Sequence, residues 1–312
     1  MAIPTLPHQT TDLFLTDGGT ETWLMYKRSF ELEEFAAFHL LHDPNAKAAL
    51  QEYYGTFAEV AVRHGASFIF DSLTYRASRD WGRLLGYTDA RLAEMNHACF
   101  ELYRTAARAA GLPASKTVIS GCIGPKGDAY KLDQALTAES AEAYHSEQIA
   151  TFKAGGAHIV TALTLNTTAE AIGIARAAQS AGLPSVISFT LEKNRCLKSG
   201  ESLQEAIETV DAQTNRAPAY YMINCAHPVD FGPALTSDAW SDRIHGLRAN
   251  ASTLDHGTLC QLGHLEEGNP DELAAQYADI RGNFPNMNVF GGCCGTDFVH
   301  VDKIATALLA PA

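Results

Sequence analysis

The chain has 312 residues, 46% of them hydrophobic and 19% charged, a globular balance with no apolar stretch near the ~20 residues that a membrane span requires. Its 23 basic and 36 acidic residues give a net charge of -13, and so diffuse a negative field disfavours nucleic acid and anionic membrane as partners, leaving small molecules. The opening run MAIPTLPHQTTDLF has no basic segment followed by an apolar core, so neither a secretory signal nor a transit peptide is expected, and the expected compartment is the cytoplasm.

Short β-rich apolar runs alternate along the chain with longer segments of 3.6-residue period. In order, strands are predicted over residues 13–19, 68–74, 117–124, 159–166, 184–190, 220–226, 245–252 and 287–295. Helices are predicted between them, over residues 46–65, 137–156, 168–182 and 270–284 among others, several of them stopping at glycine. Eight alternations with no Pro/Gly/Ser-rich linker predict one domain, residues 1–312, closed into a (β/α)8 TIM barrel. A doubly wound open sheet is the alternative. It lacks the glycine-rich dinucleotide fingerprint after the first strand, and no P-loop motif occurs anywhere.

In a barrel, chemistry collects where strands run into the following loops. The sixth predicted strand ends in Asn224, Cys225, Ala226, His227 and Pro228, and the eighth in Gly291, Gly292, Cys293, Cys294 and Gly295. Three thiols therefore converge on one rim, with glycines that let the backbone turn both adjacent cysteines toward one point. Three sulfur ligands with an open fourth position are the arrangement of a catalytic zinc site. Three other readings stay open: small side chains packed in a tight turn, a structural zinc completed by His227, and a redox pair of the adjacent cysteines. Cys99, Cys122, Cys196 and Cys260 stand apart and are expected to be plain packing residues.

The first strand ends in Asp17, Gly18 and Gly19, a carboxylate followed by bare backbone N–H groups that suits both ends of an amino-acid zwitterion, or a tight turn with Asp17 bonded locally. Asp71 ends the second strand, as a ligand for a cationic group or as a cap. Tyr75 and Trp23 are candidate aromatic faces for a cationic methyl donor. Thr164 and Asn224, at the ends of strands four and six, complete the candidate substrate contacts.

Taken together, the segments DGGTETWL (17–24), GCIGPKG (121–127), SFTLEKNRCLKSG (188–200), INCAHP (223–228) and GGCCGT (291–296) resemble the homocysteine S-methyltransferase family, which includes the betaine and S-methylmethionine enzymes. The resemblance covers nearly the whole chain. It implies Zn2+ held by Cys225, Cys293 and Cys294, and an Asp17, Gly18 and Gly19 motif that helps bind the homocysteine amino-acid moiety. It further implies a small-molecule thiol acceptor attacking the methyl of a sulfonium or quaternary ammonium donor. One departure stands out. Family members that use homocysteine end the fourth strand in Glu-Thr, and here Leu163 occupies the glutamate's place beside Thr164. Leucine cannot answer an ammonium charge. Either Asp71 replaces the missing carboxylate or the acceptor is a different thiol. A zinc- or thiol-binding barrel without methyl transfer is the non-enzymatic alternative.

Overall fold

The computed structural model describes residues 4–133 and 135–310. Eight strands, β1 (Phe14–Thr16), β2 (Ser67–Phe70), β3 (Thr117–Ile123), β4 (Ile159–Leu165), β5 (Ser185–Phe189), β6 (Pro218–Asn224), β7 (Ile244–Ala249) and β8 (Val289–Gly292), pair in parallel in sequence order. Strand β8 returns to β1, so the sheet closes into the (β/α)8 barrel and leaves no edge.

The period of two along each strand sorts the core into two layers. Phe14, Ile69, Val118, Ile159, Val186, Tyr220, Met222 and Val289, from every strand but β7, form one buried cluster together with Leu6. Their alternates, including Leu15, Phe68, Val160, Ile187, Tyr221 and Phe290, belong to the larger cluster shared with the helices. Inside and outside are therefore written in the alternation itself.

The helices begin where side chains can answer the first free N–H groups. Asp43 accepts from the backbone N–H of Asn45 to start Pro44–Arg63, with Pro44 in the first turn. Ser202 and Glu205 bond reciprocally at the start of Leu203–Thr214. Helix Thr168–Ala181 stops at Gly182, whose φ of 66° is open to glycine at no steric cost. Among the described residues, no helix is long and apolar enough to cross a membrane.

Candidate active site

The three predicted cysteines meet. Cys225 follows β6 with a left-handed φ of 57°, and its N–H donates to the Arg248 carbonyl at 3.1 Å. Cys293 and Cys294 follow β8 in a turn fixed by the Cys293 N–H on the Ala249 carbonyl (2.8 Å) and the Thr296 hydroxyl on the Cys293 carbonyl (2.7 Å). A Cβ on Gly19 would stand 2.7 Å from that same carbonyl, so glycine is what lets the β1 loop lie against the cysteine turn. The three sulfurs all fall within 4.8 Å of one another.

The Cys225 and Cys293 sulfurs are in contact, with Cα atoms 5.4 Å apart, and the Cys294 sulfur lies 3.9 Å from that of Cys225. All three cysteines are only partly buried and line a cavity, which removes the reading of plain packing. His227 does not complete a four-ligand site: its Nδ1 accepts the N–H of Val229 and caps the short helix Pro228–Phe231. Burial, then the charge of Glu21, pushes the Cys294 thiol up to about 12. A soft three-sulfur set with one face toward a cavity fits zinc with a coordination position left over.

The cavity holds about 450 Å³ at the C-terminal ends of the strands. Of the other predicted site residues, Gly18, Gly19, Tyr75, Thr164 and Asn224 line it, and so does Leu163. The N–H of Gly19 is spent on the Thr296 carbonyl at 3.0 Å. Asn224 acts as a buried clasp: its Oδ1 accepts from the Thr164 N–H (2.8 Å) and the Ser188 hydroxyl (2.6 Å), and its Nδ2 donates to Thr164 Oγ1 (2.8 Å). The clasp holds Thr164 at a φ of 61°, a costly conformation for a β-branched residue.

Asp17, Asp71 and Trp23 are not among the described residues that line the cavity. Trp23 is buried, its ring 4.8 Å from that of Tyr53 on helix Pro44–Arg63 and covered by the Arg28 guanidinium at 4.6 Å. It packs between barrel and helix because β1 ends at Thr16 and a helical turn, Thr20–Thr22, carries the chain outward. Asp17 and Asp71 are both buried and both paired with Arg248. Ser72 donates to each carboxylate at 3.0 Å, and Thr20 donates to Asp17 at 3.1 Å. Burial raises the Asp17 carboxyl, with Arg248 opposing and Asp71 adding to the rise, and the two carboxylates hold the Arg248 guanidinium above its usual range against burial. The charges that the sequence offers to an ammonium are thus answered from within.

The sequence reading misses Arg248, Glu21 and Arg76, which all reach the cavity. A lone arginine inside the small and apolar strand HGLRANA is a readable signal of a buried acidic partner. Glu21 sits within the Asp-Gly-Gly-Thr-Glu-Thr motif itself. Its carboxyl is raised to about 7, first by burial. Of the four cysteines expected to be packing, Cys99 and Cys122 are buried, but Cys196 is half-buried and Cys260 is exposed. Cys260 stands at the cavity mouth, 3.4 Å from His256 Nε2, whose ring stacks on Tyr130 with centroids 3.4 Å apart. Cys260 caps a single helical turn after β7, His256–Leu259, which is too short to show a helical period in the sequence.

Two solved forms of the homocysteine methyltransferase MmuM from Escherichia coli share this fold. The metallated form superposes with a TM-score of 0.72 at 20% identity over 95% of this chain and 96% of that one. The oxidized form does so with 0.75 at 20% identity over 97% and 99%. Methionine synthase of Mycobacterium tuberculosis is 26% identical over 227 residues, 70% of this chain, which spans only 18% of that protein's length. The family model described as homocysteine S-methyltransferase matches residues 14–308, and with that span covering the whole barrel the chain belongs to the homocysteine S-methyltransferase family.

Proposed function

We propose that this protein is a zinc-dependent S-methyltransferase that moves a methyl group from a sulfonium or quaternary ammonium donor to a thiol, homocysteine being the first candidate acceptor and methionine the product. The observation that carries the reading is the three-sulfur cluster of Cys225, Cys293 and Cys294, open on one side to the cavity of a family member. Both partners are small molecules, and we expect the compartment to be the cytoplasm, where thiols stay reduced.

These three residues would hold the metal. A free thiol with a pKa near ~8.5 is only a few per cent ionised at neutral pH, and zinc, when bound, supplies a thiolate outright. That gain is about 1.5 pK units, or roughly 2 kcal/mol, partly offset because a stabilised thiolate is a weaker nucleophile. Positioning by the chain matters more. Asn224 fixes the β4 end and reaches the Cys293 sulfur at 3.9 Å. The Tyr75 ring gives the wall an aromatic face for an onium cation. The acceptor sulfur forms its bond to the methyl carbon as the donor's carbon–heteroatom bond breaks. The electron pair returns to the donor heteroatom, which leaves neutral and needs no proton. The acceptor's own thiol proton goes to solvent.

The test begins with reduced protein loaded with zinc, which should retain about one metal per chain. Cys225→Ala should lose both the metal and methyl transfer, and full transfer by that variant would overturn the mechanism. A mass-shift screen of thiols against S-methylmethionine, betaine and dimethylsulfoniopropionate identifies the donor. Metal retention with no methylated thiol would favour the binding-protein alternative.

A further inference from the structure

We propose that Glu21 and Arg76 are the specificity-determining pair that receives the ammonium and the carboxylate of an amino-acid thiol, in place of Asp17, Asp71 and the fourth-strand carboxylate. The inference rests on the methyl-transfer reading and names how its acceptor is held.

None of the three expected positions presents a negative charge to the cavity: Asp17 and Asp71 are spent on Arg248, and position 163 is leucine. Glu21 does present one. The turn Thr20–Thr22 carries it to the cavity wall, and among the described residues its carboxylate has no ion-pair or side-chain hydrogen-bond partner. It lines the same cavity as Cys225, Cys293 and Cys294, so a ligand held there shares that space with the cluster. Arg76 lines the same cavity. Its guanidinium lies 3.8 Å from the centroid of the Trp81 ring, a stacking contact that sets the guanidinium plane and leaves its N–H donors for a carboxylate.

The two opposite charges line one cavity, yet no ion pair joins them among the described residues. Opposite charges that face one space without closing on each other are complementary to a zwitterion. Arg248 cannot take Arg76's place, because two carboxylates already occupy it.

The test is calorimetric titration of reduced, zinc-loaded protein with homocysteine, with 4-mercaptobutanoate, which lacks the ammonium, and with 3-mercaptopropylamine, which lacks the carboxylate. The wild-type protein should prefer homocysteine over each analogue by roughly tenfold or more. Glu21→Gln should lose the preference over 4-mercaptobutanoate and keep that over 3-mercaptopropylamine, and Arg76→Gln should do the reverse. Each protein is its own reference, so damage to the fold weakens all three ligands together and cannot imitate a selective loss. A wild-type protein that binds the three thiols alike, or variants that keep both preferences, overturns the proposal. Methyl transfer to all three thiols at equal rates would leave the activity standing and remove the clamp. Intact preferences without methyl transfer from any onium donor would do the opposite.

Discussion

A carboxyl whose proton leaves near neutrality gives a cavity a charge that depends on pH. Burial raises Glu21 to about 7, Arg248 and Arg76 pull it down, and Asp71 pushes it up. The sign follows. The ionised form attracts an ammonium, so affinity for a cationic thiol should climb as pH rises through about 7 and fall away below it. Between pH 6 and pH 8 the ionised fraction rises about tenfold. Binding of 3-mercaptopropylamine should tighten by about that factor more in the wild-type protein than in Glu21→Gln, the comparison removing the ligand's own thiol ionisation. Equal pH dependence in the two proteins would take Glu21 out of the binding site. In the absence of ligand the same raised pKa works against the fold: the unfolded chain ionises this group first, so its contribution to stability is lost as pH climbs from about 4.5 toward 7. At this scale the sequence is legible where a residue's type dictates its chemistry. Cys225, Cys293 and Cys294 announce soft ligands whatever surrounds them, whereas Asp17 and Asp71 change meaning once Arg248 is found between them.

Three strand ends bend in the same way. Ser72 after β2, Thr164 in β4 and Cys225 after β6 carry φ values of 75°, 61° and 57°, and all three line the cavity. Each is a conformation that a residue with a side chain adopts at a cost of about 1–3 kcal/mol, so the surrounding bonds must impose it. All eight predicted strands exist, but all overrun their observed C-terminal ends, because a hydrophobic pattern carries no information about φ. The bends at positions 72 and 225 fall inside the overrun. At β4 the imposing group is Asn224, which links β4, β5 and β6 through Thr164 and Ser188. Asn224→Ala leaves the buried Thr164 N–H without a partner and should cost about 3 kcal/mol, read as a lower urea midpoint. The loss of support beside Cys225 should also weaken zinc binding by about tenfold or more in a competition with a chelator. Wild-type values on both counts would mean that Thr164 holds its conformation unaided.

The barrel closes at its weakest seam with its strongest charges. Strands β1 and β8 share only the register pairs Phe14 with Val289 and Leu15 with Phe290, against five pairs between β5 and β6. Arg248, reaching from β7, bonds Asp17 beyond β1, Asp71 beyond β2 and the Gly292 carbonyl of β8, and so ties together the four strands around that seam. Eight strand–helix alternations make the closed barrel readable from sequence, but which strand pair needs a clasp depends on pairing lengths that no local pattern contains. Arg248→Met keeps most of the volume and removes the charge, leaving two buried carboxylates facing each other. Removing one partner of such a cluster costs about 3–5 kcal/mol, which for a chain of this size lowers the melting temperature by about 10 °C. The pH dependence separates lost charge from lost packing. In the variant Asp17, which burial already raises, loses the opposing Arg248 charge, so the folded state binds a proton that the unfolded state has released, and stability falls as pH rises from about 4 through the raised pKa. Tryptophan fluorescence in urea should therefore record a larger deficit against wild type at pH 8 than at pH 5. Adding Asp17→Asn and Asp71→Asn to Arg248→Met should recover part of the deficit at pH 8 by removing the charges that lack a partner. A deficit equal at both pH values and unrelieved by the asparagines would mean that the arginine serves the seam through its bulk and its bond to Gly292 rather than through the carboxylates.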